Sequence, residues 1–123
     1  MNIKYKNIVG AATALFISTS LASSVVMAKD EGISRLDEGK KLVFTRKKGN
    51  CLACHLVLGG ASPGNIAPPL IAMKSRYPDK KILKDQIFDA SKRNSETTMP
   101  LFGRYEILTK DELDKVVDYI YSL

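Results

Sequence analysis

Histidine and cysteine are scarce in this 123-residue sequence, which holds one histidine, His55, and two cysteines, Cys51 and Cys54. That scarcity excludes several chemistries. A structural zinc site draws four ligands from cysteine and histidine, and only these three residues are on offer. Two histidines on one metal are impossible within a single chain. No segment alternates apolar and polar residues over a sustained stretch, so the sequence lacks strands and with them the βαβ setting of a thioredoxin-like cysteine pair. Internal repeats, low-complexity tracts and interdomain linkers are missing too. The domain reads as all-α.

The apolar runs are short. The longest, Ile8 to Leu21, is uncharged but broken by Thr13, Ser18, Thr19 and Ser20, which argues against a membrane anchor. With Lys4 and Lys6 before it and Val26-Met27-Ala28 after it, residues 1–28 have the form of a cleaved signal peptide. The expected mature protein is one periplasmic domain, residues 29–123, with no membrane anchor. A domain of that size is near the lower limit for a self-sufficient hydrophobic core.

The scarce residues are clustered. Cys51-Leu52-Ala53-Cys54-His55 is the haem c attachment pattern, C-x-x-C-H. In a helical turn the two cysteines project to one side, where each thiol adds across a haem vinyl group. His55, four residues after Cys51, lies on the same side and offers an imidazole nitrogen to iron. A disulfide between the cysteines would leave His55 without a role. Covalent haem also answers the shortage of core, since the macrocycle is itself buried, and haem-free chain is expected to be largely unfolded. Attachment outside the cytoplasmic membrane agrees with the leader.

The second axial ligand is limited by composition. Of four methionines, Met1 and Met27 fall in the leader, leaving Met73 and Met99. Met99 is the better candidate: it lies far enough downstream to reach the opposite haem face, in a loop stiffened by Pro100. Met73 sits on a short expected helix, where a methionine more often fills core. Histidine–methionine ligation raises the reduction potential. Phe102, Leu101, Leu70 and Phe88 are the expected pocket walls, and a carbonyl of Ala67-Pro68-Pro69, Pro68 foremost, is the expected acceptor for the other ring nitrogen of His55. With the sixth position filled and no acid–base pair nearby, the chain reads as an electron carrier without a catalytic residue of its own.

Around this centre the helices are legible. Ser34 is the expected cap of a first helix carrying Leu36, Gly39, Leu42, Val43 and Phe44, ended by Gly49-Asn50. Gly39 inside it implies a close crossing with another helix. A short helix over Leu70–Arg76, closed by Tyr77-Pro78, and one over Lys80–Lys92 capped by Asp79 follow. Thr109-Lys110-Asp111-Glu112 is a capping box that starts the last helix, whose stripe is Leu113, Val116, Val117, Ile120 and Tyr121. The chain's net charge is +6, with basic stretches at Lys40, Lys41, Arg46, Lys47 and Lys48 and at Lys74, Arg76, Lys80, Lys81 and Lys84. They are either solvated helix faces or a guide for acidic redox partners. An excess this modest in an exported haem protein does not suit nucleic acid.

The sequence resembles small mono-haem cytochromes c and, within them, the SoxX family of the SoxAX sulfur-oxidation complex. Gly39, Val43-Phe44, the C-x-x-C-H element, Pro68-x-Leu70, Met99-Pro100 and the terminal helix carry the general likeness. Gly49-Asn50-Cys51 through His55, Gly64-Asn65-Ile66-Ala67-Pro68-Pro69-Leu70, Thr98-Met99-Pro100-Leu101-Phe102-Gly103 and Ile107-Leu108-Thr109 carry the SoxX likeness. The resemblance implies a small cytochrome c fold with its first and last helices crossing, haem on Cys51 and Cys54, and His55 and Met99 as axial ligands. It also implies pairing with a SoxA-like haem subunit, which joins thiosulfate to a cysteine of the SoxYZ carrier. This chain would pass the electrons on to a small soluble cytochrome c. No cysteine is left over to match the catalytic one of SoxA.

Overall fold

The computed structural model describes residues 27–123, with side chains from Ser34 onward. The leader expected over residues 1–28 lies outside the described residues except for its last two. Four α-helices make the frame: α1 Met27–Phe44, α2 Met73–Arg76, α3 Lys80–Phe88 and α4 Lys110–Ser122, with single 3-10 turns at Cys51–Ala53 and Ala90–Lys92. Among the described residues the sole β-type pairing is one isolated parallel bridge between His55 and Ala67. No helix among them is long and apolar enough to cross a membrane.

Helices α1 and α4 cross, and α3 and α2 also pack on α4. Gly39 is what lets α1 approach. A Cβ there would run into the backbone carbonyl of Lys115 and come within 2.9 Å of the Tyr119 Cβ. The buried face of α4, Leu113, Val116, Val117 and Ile120, packs with Val43 from α1, Leu83 and Ile87 from α3, and Leu70, Met73 and Phe102 from the loops and α2. The capping box forms as expected: Glu112 N–H donates to Thr109 Oγ1 at 3.2 Å and Thr109 N–H to Glu112 Oε2 at 3.0 Å.

Four helix boundaries differ from expectation. Helix α1 ends at Phe44, ahead of Gly49-Asn50, because the Leu42 carbonyl takes the Thr45 and Gly49 N–H groups and folds the residues between them into a separate turn. Helix α1 begins at Met27, so Ser34 is an interior residue; no proline interrupts the preceding turns, and serine in a helix costs only a few tenths of a kcal/mol. Helix α2 starts at Met73, not Leu70. Ala72 is left-handed at φ 50, and the Leu70 N–H is held by Leu56 O at 2.9 Å, which keeps that residue out of the helix. Helix α3 stops at Phe88 because the Asp89 carboxylate takes the Ser91 N–H and hydroxyl, starting a new turn.

Ion pairs stitch α4 to its neighbours. Asp118 receives Arg35 of α1 at 2.6 Å and Lys80 of α3; Lys48 reaches Glu112 at 2.7 Å, and Lys84 reaches Asp114 at 2.5 Å. Burial alone would raise the Asp118 pKa, but the Lys80 and Arg35 hydrogen bonds outweigh it and hold the carboxyl below its usual range. The Lys48 ammonium and the Thr109 N–H lower Glu112 likewise. Carboxylates with depressed folded-state pKa stabilise above their unfolded values, about 4, and this is lost as pH falls through the lower folded values. The urea midpoint is therefore expected to fall below about pH 4. Asp118→Asn should cost about 1 kcal/mol at neutral pH and show a shallower acid limb, both read from urea titrations across pH.

Candidate functional site

The site is built on a turn that the chain enters through Asn50. Asn50 takes the left-handed conformation at φ 46, which asparagine tolerates better than most residues, and sets the direction of Cys51–Ala53. The turn then tightens helically: Cys54 N–H donates to Cys51 O at 3.3 Å and His55 N–H to the same carbonyl at 2.9 Å. Cys51 and His55 are thereby one helical turn apart. All three residues are half-buried and line one cavity. Both thiols are free, and burial, opposed by a hydrogen bond from its own backbone, pushes the Cys51 thiol up to about 11.

A second segment fixes the histidine. Between Ala67 and Leu70 two prolines leave only two N–H groups. Ala67 donates to Cys54 O at 3.0 Å and Leu70 to Leu56 O at 2.9 Å, so the segment lies along either side of His55. Its carbonyls are used as well. His55 Nδ1 lies 2.7 Å from Pro68 O, and since that oxygen only accepts, Nδ1 carries the proton and the lone pair is on Nε2. Pro68 is the acceptor expected from sequence. Arg76 Nη1 donates to the next carbonyl, Pro69 O, at 2.6 Å and touches Met73 Sδ at 3.5 Å. Arg76 thus braces the segment that orients His55. The sequence reading missed this because nothing in residue type links an arginine to a carbonyl seven positions back.

The cavity measures about 620 Å³ and is walled by Leu70, Met73, Leu83, Ile87, Phe102, Val116 and Ile120, with Arg46, Lys48 and Arg76 also on its lining. That volume falls within the roughly 300–1,000 Å³ of cofactor clefts. Among the described residues no group of three or more His, Cys, Asp or Glu could hold a bare metal ion. The donor set fits haem: two free thiols, an imidazole whose Nε2 is not taken by the Pro68 contact, and apolar walls around them.

Met99 lines the same cavity from the irregular segment after residue 92, half-buried, its N–H held by Thr97 Oγ1 at 3.2 Å. Met73 also reaches the cavity but is 1% exposed and belongs to the core. Two expected walls need correction. Leu101 is buried without lining the cavity, and Phe88 is exposed, its ring covering Gly103 on the outside. The register of α3 explains it, because Leu83 and Ile87, four apart, own the inward face and Phe88 turns away from it.

Comparison with known proteins agrees with this geometry. The family described as Cytochrome c matches residues 36–123. The crystal structure of SoxXA from P. pantotrophus superposes with a TM-score of 0.63 at 26% identity, over 70% of this chain and 79% of the matched chain. A curated relative, an "Uncharacterized lipoprotein" of Aquifex aeolicus (strain VF5), is 29% identical over 103 residues, 76% of this chain and 48% of the relative. The chain therefore spans about half the length of that relative.

Proposed function

The chain belongs to the cytochrome c family and carries covalent haem c, and from that premise we propose that it is the electron-accepting subunit of a SoxAX-type complex in the periplasm. The observation that carries the reading is the match to SoxXA, which extends over most of the matched chain. In this role the protein, exported by its leader over residues 1–28, pairs with a SoxA-like haem subunit. That partner couples thiosulfate oxidatively to a cysteine of a SoxYZ-like carrier, and a small soluble cytochrome c takes the electrons onward.

Bound haem supplies a one-electron Fe(III)/Fe(II) couple. The chain's residues hold and tune it. Cys51 and Cys54 would anchor it; His55, its ring held by Pro68 O, would offer Nε2 to the iron. Met99 would offer its thioether sulfur as the other ligand. A thioether favours Fe(II), and apolar walls penalise the extra charge of Fe(III), so both raise the potential. Leu83, Ile87, Val116 and Ile120 keep water from the centre.

Native isolation of the haem protein from periplasm, with mass spectrometry of what co-elutes, tests the proposal. A stoichiometric second cytochrome is expected, and thiosulfate with the carrier should then reduce this haem. A solitary histidine–methionine cytochrome unresponsive to thiosulfate would overturn it in favour of a free electron shuttle.

A further inference from the structure

From Cys51 to Met73 the chain has no Asp, Glu, Lys or Arg, in a sequence that is 26% charged. The same stretch carries the most exposed large aliphatic side chains among the described residues: Ile66 at 78%, Leu58 at 69%, Leu56 at 42% and Ile71 at 41%. Backbone bonds bring them together, since Ala67 N–H on Cys54 O and Leu70 N–H on Leu56 O lay residues 66–71 along residues 54–58. Scattered exposed aliphatics are ordinary, but a cluster on one uncharged surface is not. It is continuous with the cofactor site, because Ile66, Ala67 and Pro68 also line the cavity.

The basic stretches are less available for steering than their sequence suggests. Lys48 is paired with Glu112, Lys80 with Asp118, Lys81 with Asp85 and Lys84 with Asp114, while Arg76 is spent on Pro69 O. Four of the ten cations are thus answered by carboxylates, three of them in the second stretch.

We propose that Leu56, Leu58, Ile66 and Ile71 form the docking surface for the haem-bearing partner subunit, whose own contact face is uncharged and apolar. The complex is then held by burial, with the partner seated directly against the wall of the cofactor cavity. This rests on the SoxAX-type reading and adds the surface and the chemistry of the partner's face. Charge complementarity argues for this occupant, since residues 51–73 themselves offer an acidic docking face no cation, and the Arg76 guanidinium beside them is held on Pro69 O.

The experiment uses the holoprotein and the second haem subunit that co-isolates with it, measuring affinity by titration at low and at molar salt. Affinity is expected to change less than about threefold with salt. Leu58→Glu and Ile71→Glu should each weaken binding about tenfold or more, while Ile82→Glu on α3 leaves it unchanged; unaltered haem spectra establish that the variants, none of them on the cavity lining, are folded. Binding that collapses in salt and survives both glutamates would overturn the assignment and place docking on the basic faces. Wild-type protein with no co-isolating haem subunit would instead overturn the SoxAX-type reading itself.

Discussion

Met99→Ala is expected to open one axial position of the haem, leaving a ferric spectrum without the sulfur-to-iron charge-transfer absorption and a ferrous form that binds added carbon monoxide. The reduction potential should fall by at least about 100 mV, a fraction of the roughly 0.8 V that axial ligands span. The argument is one of supply and position. His55 is the sole histidine and both cysteines serve attachment, so sulfur from Met73 or Met99 is what remains. The structure separates those two. Met73 is 1% exposed, packed among Leu83, Val116 and Ile120, and in contact with Arg76. Met99 belongs to a loop at the cavity, half-buried and packed against the core from its edge instead of within it. Met73→Ala should therefore cost about 2–5 kcal/mol of stability, as large-to-small core changes do, with the axial spectrum intact. Carbon monoxide binding in Met73→Ala but not in Met99→Ala would reverse the assignment.

The contrast between the two methionines also shows what the sequence could tell. Elements fixed by local chemistry were legible: the capping box at Thr109 and Glu112, the Asp79 cap, the stripe on α4 and the attachment turn all rest on residues each within four positions of the next. The Pro68 carbonyl was within reach of inference because two adjacent prolines leave a segment with few donors and spare acceptors. What escaped depended on three-dimensional register. Phe88 reads as core by composition, yet its angular position on α3 puts it outside. The helix boundaries moved where a side chain or a backbone bond elsewhere in the fold overrode propensity, as Asp89 does at the end of α3 and Leu56 O does ahead of α2. The ion pairs have the same origin. Lys80 and Lys84 look like solvated charge in sequence, and only the packing of α3 on α4 places Asp118 and Asp114 opposite them.

Gly39→Val is expected to be the most destabilising single change outside the cofactor site. Two effects oppose each other at this position. Replacing glycine in a helix interior by alanine gains about 0.5–1 kcal/mol of propensity, and a tolerant site would be stabilised. Gly39 is not tolerant, because the first added carbon meets the Lys115 carbonyl carbon at 2.8 Å and the Tyr119 Cβ at 2.9 Å. Backbone cannot rotate away as a side chain does, so α1 and α4 must separate. Overpacking of this kind costs about 1–3 kcal/mol and occasionally more, which exceeds the propensity gain. Separation also loosens Val43 against Val116 and Val117, and the α4 residues Val116 and Ile120 that wall the cavity. Gly39→Ala should thus lower the unfolding free energy read from urea titration by about 1–2 kcal/mol net, and Gly39→Val, with two further methyl groups and no propensity gain, by well over 3 kcal/mol. The exposed neighbour Lys40→Ala, with the same helix and no crossing contact, is the control and should stay within about 0.5 kcal/mol. A Gly39→Ala protein as stable as that control would mean that α1 and α4 do not cross at this residue, and the account of the fold would have to be rebuilt from there.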